Sequence, residues 1–236
     1  AATIATSAEQ DPFIGTDEIL RDVIRNLKLT PTKVNHYLNC HRKFLYNDVL
    51  LLPGKKKQSL IFGNCAHKAA EEVYRQYMRT GAFPDKKLFR QTFLRELGFQ
   101  GADSPTYRSC SNKYEQYLDK WFDHVAAGPV MPLGLESRLI TTIGENIDFV
   151  GKYDKIERAD ADGAVRVIDY KSGKPDPHIK KISACKDVAS EQCDEYFRQL
   201  VAYKLLFDRD AKENKGRRVR YGVLVFFEPE IGRAHV

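Results

Sequence analysis

The feature that most constrains this chain is a change of periodicity at Gly128-Pro129. Before it, apolar residues recur at helical spacing; after it come short runs of β-branched and aromatic residues bounded by turn formers. The runs Leu135 to Ile143, Ile147 to Ile156 and Ala164 to Tyr170 are separated by Gly144-Glu145-Asn146 and Asp160-Ala161-Asp162-Gly163, both turn-prone. Three such runs predict an antiparallel meander. A polar connector from Ser172 to Ser190 leads to a helix over Glu191 to Phe207, and Tyr221 to Phe227 supplies a fourth strand. This order predicts an α/β fold, a mixed β-sheet flanked by helices, with a helical N-terminal half.

In that N-terminal half, Thr16 and Thr30 suit helix N-caps, and Pro31 stands where the first turn tolerates a missing N–H. Val34, Tyr37, Leu38 and Phe44 then form one apolar stripe. Further helices are predicted over Phe62 to Arg79, Asp85 to Leu97 and Pro105 to Val125, broken by Pro53-Gly54, Gly81 and the stretch from Gly98 to Pro105. A chain of 236 residues with 42% hydrophobic composition can bury roughly 70% of its unfolded surface, enough for one well-cored domain.

The apolar runs Val49 to Leu52 and Val223 to Phe227 are far too short for a bilayer, so no membrane role is expected. No cationic start or apolar core of a signal peptide stands at the N-terminus. Five cysteines, an odd number at irregular spacing, suit a reducing, intracellular and hence cytoplasmic location better than a disulfide scaffold. The formal charge of +6 favours encounter with a polyanion without demanding it.

The chemistry concentrates in two aspartates. Gly151-Lys152-Tyr153-Asp154 nears the end of one predicted strand, and Asp169-Tyr170-Lys171 follows fourteen residues later at the end of the next. A hairpin can set the two carboxylates side by side. Hard Mg²⁺ takes oxygen ligands, commonly one or two carboxylates with phosphate oxygens and water. A lysine two positions after Asp169 shares its strand face, where an ammonium can polarise water or neutralise charge growing on phosphorus. Asp-x-Lys alone is weak, arising by chance about once in 200 residues. Asp85-Lys86-Lys87 and Asp210-Ala211-Lys212 repeat the spacing in a polar helix start and a charged loop. Only Asp169 follows an apolar strand, and there a strand-end ion pair is the plain alternative.

Taken in order, Phe62-Gly63-x-x-x-His67-x-x-x-Glu71, Gly151-x-x-Asp154, Asp169-Tyr170-Lys171 and Gln199-x-x-x-Tyr203 resemble the RecB-like nuclease branch of the PD-(D/E)XK superfamily. Tyr37-x-x-Cys40-x-Arg42-x-Phe44 is similar to the first helix of that branch, which is found in nuclease domains fused to DNA helicases. The resemblance implies a restriction-endonuclease-like core over residues 29–230. Residues 1–28 would form an extension with a short helix, and residues 231–236 a tail or expression remnant. The start without Met and the end Gly232-Arg233-Ala234-His235-Val236 lead to the expectation that the chain is a piece of something longer.

The same resemblance implies roles. His67, Asp154, Asp169 and the Tyr170 carbonyl would hold Mg²⁺, with Mn²⁺ able to substitute, and Lys171 would be the catalytic lysine. Gln199 and Tyr203, one turn apart on a helix face, would brace the site and contact DNA near the scissile phosphate. Glu71, one turn after His67, would support the metal or a water. Each has a bland alternative: a satisfied histidine, a solvated helix face, or packing residues. Glu136, at a strand start, could pair with a lysine; a metal role is its weaker reading.

The implied partners are DNA and a helicase motor, on the same full-length chain or on a partner subunit. A catalytically inactive module that binds DNA ends is the alternative. Some relatives carry an iron-sulfur cluster. Here Cys40 stands at the upstream position, but no cysteine follows Tyr203, so the four-thiolate set is not visible. Cys65 and Cys110 suit small buried residues. His41 replaces the usual proline, which leaves the first helix free to continue. Arg42, Lys43, the run Lys55 to Lys57, Lys174, Lys180 and Lys181 are candidates for phosphate contact.

Overall fold

The computed structural model describes residues 16–54, 56–185, 187–190, 193–228 and 233–235. Helices come first. A short helix α1 (Thr16–Arg25) precedes α2 (Pro31–Asn39), whose N-cap Thr30 accepts a hydrogen bond from the Lys33 amide at 3.2 Å. The long α4 (Gln58–Thr80) stops at Gly81, whose φ of 72° is left-handed backbone that favours glycine. Asp85 caps α5 (Lys86–Phe99) and Asp103 caps α6 (Ser104–Lys113). A π-turn (Tyr114–Leu118) carries α6 directly into α7 (Asp119–Ala126).

Helix α2 does not run on through His41. It ends at Cys40, which is extended (φ −166°, ψ 110°), and the chain restarts as α3 (His41–Phe44) with a π-turn over Leu45–Val49. Arg198 on a later helix holds the last turns of α2, donating to Asn35 Oδ1 at 2.5 Å and Asn39 Oδ1 at 3.3 Å.

The strands are β1 (Gly134–Leu135), β2 (Arg138–Ile143), β3 (Ile147–Lys152), β4 (Lys155–Arg158), β5 (Val165–Lys171), β6 (Val219–Phe226) and β7 (Arg233–His235). The single meander is therefore not what forms. Two of the three expected strands are each broken in two, and β2 pairs with β3 alone while the main sheet runs β1-β4-β5-β6-β7. The first break falls at Glu136, whose φ is 51°, and the second at Tyr153-Asp154. Tyr153 turns fully inward there and its hydroxyl donates to Glu213 at 2.5 Å. That inward turn ends the ladder. The β5–β6 pair is parallel and the rest antiparallel, giving the mixed sheet.

The parallel pair requires a crossover, made by α8 (Asp176–Ala184) and α9 (Glu195–Arg209), with the small α10 (Ala211–Asn214) before β6. The polar connector thus contains a helix, α8, that its composition did not predict. Helix α9 begins at its N-cap Asp194; Glu191, its predicted start, lies outside the described residues, as do Lys55 and residues 1–15. Arg233–His235, assigned from sequence to a tail, pairs with β6. Cys185 and Cys193 form a disulfide across the loop between α8 and α9, with Cα atoms 4.8 Å apart. The expectation of reduced cysteines fails for that pair, because the loop brings them within bridging distance. Cys65 and Cys110 are free and buried, Cys40 free and exposed.

Alternation along β5 and β6 divides the core. Ile168, Tyr170 and Val223 join a cluster with Phe62, Phe89, Phe93 and Trp121 under α4 to α7. Val165, Val167 and Leu224 join Leu200, Tyr203 and Leu206 of α9 on the other face. Small residues allow the close approaches: Ala66, Ala69 and Ala70 of α4 are wholly buried, and a Cβ on Gly151 would lie 2.5 Å from Leu206 Cδ1. Among the described residues, no helix is long and apolar enough to cross a membrane.

Candidate active site

Three elements build the site. In the β4–β5 hairpin Lys155 faces Ile168, so the residue just before β4, Asp154, stands level with Asp169. The break at Tyr153 frees Asp154 from the ladder, and its Oδ2 accepts the Tyr170 backbone N–H at 2.6 Å. Its Oδ1 lies 3.1 Å from Nδ1 of His67, which projects from α4. The hairpin and the helix thereby meet through one carboxylate.

Asp169 and Lys171 share the α9 face of β5, with Lys171 Nζ 2.5 Å from Asp169 Oδ2. Helix α9 then presents Gln199 and Tyr203 one turn apart. Gln199 Nε2 donates to Asp169 Oδ1 at 3.0 Å and to the Tyr203 hydroxyl oxygen at 2.6 Å, while its Oε1 accepts from Lys171 Nζ at 2.7 Å. The Tyr203 hydroxyl also donates to Asp169 Oδ1, at 3.1 Å. Asp169 Oδ2 is buried and in ionic contact with Lys171.

Charge and burial act together. Desolvation of the buried Asp169 raises its pKa, and the neighbouring Asp154 adds to that, although the Lys171 ammonium opposes both. Burial would lower Lys171, but Asp169 outweighs it and the ammonium is strengthened. For His67, burial again pulls downward, while the charge and hydrogen bond of Asp154, with Asp169 behind them, leave the pKa raised.

The structure adds Glu136. Its carboxylate oxygen, a His67 ring nitrogen and an Asp154 oxygen lie within 4.8 Å of one another. It does pair with a lysine, Lys152, yet burial still raises its pKa. Nothing in its local sequence marks it; only the left-handed turn at Glu136 brings it in, a conformation that non-glycine residues adopt at a cost and that clusters at functional sites. Tyr196 was also missed; its ring centre lies 4.3 Å from Lys171 Nζ. Glu71 reaches the same cleft, but its carboxylate is held by Lys68 at 2.8 Å and by Arg75.

The cleft has a volume of about 540 Å³, and its lining includes both aspartates, His67, Lys171, Glu136 and Tyr196. One imidazole and the Asp154 and Glu136 carboxylates within reach of one another, with the buried Asp169 carboxylate lining the same cleft, fit a divalent cation. The two other Asp-x-Lys triplets are helix caps: Asp85 accepts the Lys87 amide at 2.6 Å, and Asp210 accepts the Glu213 amide at 3.1 Å.

No curated protein matches the chain. Among solved structures, the "Putative exonuclease" from Eubacterium rectale is similar over 98% of this chain and 78% of its own, at 11% identity and a TM-score of 0.47. The protein SSO0001 is similar over 94% and 75%, at 15% identity and a TM-score of 0.31. The sequence profile of the PD-(D/E)XK nuclease superfamily matches residues 28–234, a span that contains every residue of the cleft. This chain belongs to the PD-(D/E)XK nuclease superfamily.

Proposed function

We propose that the chain is a RecB-like deoxyribonuclease that hydrolyses phosphodiester bonds with Mg²⁺, accepting Mn²⁺ in its place. The observation that carries this reading is the convergence of His67, Asp154, Asp169 and Lys171 on one cleft. His67, Asp154, Asp169 and the Tyr170 carbonyl would hold the ion, with Glu136 as a further carboxylate. When bound, the ion supplies Lewis acidity to a phosphate oxygen and makes water a better nucleophile.

The protein's own groups do the rest. Lys171 neutralises the negative charge that develops on phosphorus during in-line attack. Gln199 holds the Lys171 ammonium through its Oε1 and Asp169 through its Nε2, so one amide sets the spacing of both. Tyr203 fixes Gln199 and Asp169 from below. Glu71, clamped between Lys68 and Arg75, orders the wall of the cleft near His67. The exposed cations Arg42, Lys43, Lys56, Lys57, Lys174, Lys180 and Lys181 are the groups that would contact phosphates along the strand.

The domain serves as the nuclease module of a DNA repair or recombination helicase-nuclease, cutting as exonuclease, endonuclease or both on strands fed by a motor. Digestion of plasmid and linear DNA with Mg²⁺ or Mn²⁺ tests the reaction, comparing wild type with Asp169→Ala and Lys171→Ala. Loss of cutting in both variants is expected. Equal residual cutting in all three proteins would identify a contaminant and leave a module that binds DNA ends without cleaving them.

A further inference from the structure

On the face of β5 opposite the cleft lies a second, partly enclosed cavity of about 100 Å³. Its floor is made by Trp121, Lys155, Glu157 and Tyr170, which are 2%, 4%, 5% and 4% exposed. Arg166 stands nearer the surface, and the exposed Val130 marks the mouth. A hydrocarbon void would have apolar walls throughout, but this one holds a buried ion pair and unsatisfied donors.

Lys155 Nζ lies 2.6 Å from Glu157 Oε1 and 3.8 Å from the centre of the Tyr74 ring. Arg166 Nε approaches the same glutamate at 3.9 Å. Two cations therefore share one carboxylate, and the cavity carries an excess positive charge. The Arg166 Nε atom and the Trp121 indole N–H are buried, and among the described residues neither has a hydrogen-bond partner. A buried donor without an acceptor is costly, and here the unsatisfied donors coincide with the unneutralised charge. The complement of such a wall is a group with several acceptor oxygens, net negative charge and small size.

We propose that this cavity is a binding site for a small oxyanion of phosphate size, separate from the nuclease cleft. The anion accepts from Trp121 Nε1 and the Arg166 guanidinium and balances the second cation beside Glu157. Tyr170 links the two sites: its ring lines the cavity, while its backbone N–H donates to Asp154 in the cleft. The oxyanion is either free phosphate or the phosphate of a nucleotide.

Trp121 is the only tryptophan in the sequence, so its emission reports on the cavity. Metal-free protein is titrated with inorganic phosphate and, in a second arm, with a deoxynucleoside 5′-monophosphate, each at matched ionic strength against chloride. A saturable change in emission with one site is expected, and the arm with the lower midpoint identifies the source. The midpoint should be unchanged in Lys171→Ala and raised about tenfold in Arg166→Met, since a charge-assisted contact is lost. Trp121→Phe keeps a ring in the core while removing the N–H; calorimetry should show weaker phosphate binding to it. The proposal is overturned by no saturable change, by a response that chloride reproduces, or by a midpoint that moves with Lys171→Ala but not with Arg166→Met. Unweakened calorimetric binding in both Arg166→Met and Trp121→Phe would also overturn it.

Discussion

The end of β5 and the start of α5 carry the same three-residue pattern, an aspartate and a lysine with one residue between, and put it to opposite uses. At α5 the Asp85 carboxylate accepts the Lys87 backbone amide at 2.6 Å, a local contact that any solvated helix start can make. At β5 the Asp169 carboxylate is buried and takes its partners from Lys171, Gln199 and Tyr203. Residues of α9 thus supply what the local sequence cannot. The difference teaches that the triplet acquires chemistry only when the strand's alternation turns both side chains toward a second element that satisfies them.

The largest effect expected from this contrast is at Asp169. Asp169→Asn should reduce the DNA cleavage rate at least about 10³-fold, as loss of a principal electrostatic group does, and initial-rate assays at saturating Mg²⁺ measure it. A fall of similar size in Asp85→Asn would break the comparison. Next, Lys171→Met should cost about 10²-fold or more in rate, against no change for Lys87→Met. Equal losses would mean that charge toward DNA, not position in the cleft, is what matters.

Acidity comes next. In the metal-free protein the raised pKa of His67 means that its pairing with Asp154 stabilises the fold fully below the unfolded value of 6.5 and that this contribution is lost as pH rises through the higher folded value. Metal binding runs the opposite way, because a ligating imidazole must be neutral. Calorimetric Mn²⁺ affinity should therefore climb with pH through the region above 6.5, by up to about tenfold per unit for one displaced proton. A flat profile would remove His67 from the ligand set.

Smaller changes sharpen the role of α9. Gly151→Val would set a Cβ 2.5 Å from Leu206 Cδ1, an overpacking that costs about 1–3 kcal/mol and shifts the helix bearing Gln199 and Tyr203. Denaturant midpoints should fall along with the cleavage rate; stability lost with the rate intact would show that α9 tolerates displacement. The smallest effect is Asp85→Ala, about 1 kcal/mol of stability for a lost cap with the rate unchanged.

Much of the site is legible in order along the chain because its members occupy periodic positions. His67 sits on a helix, Asp169 and Lys171 two apart on a strand, Gln199 and Tyr203 four apart on a helix. Spacing alone tells which side chains share a face. Glu136 was not legible, since its place among His67 and Asp154 depends on a left-handed residue inside a run that looks like continuous strand. Nor was the break at Tyr153, which follows from a distant hydroxyl contact with Glu213. The hold of Arg198, far along the chain, on Asn35 and Asn39 was likewise not legible.

By itself the amino-acid sequence determined the helical half, the strand-rich half, the mixed α/β class and the pairs of residues that must lie on common faces. These are consequences of period, capping and turn chemistry, which act within a few residues. Tertiary structure alone decided that Glu136 joined the cluster, where the strands bent and which cysteines met. Such outcomes depend on groups far apart in the chain competing for the same buried donors and charges, and that competition is resolved only when packing brings them together.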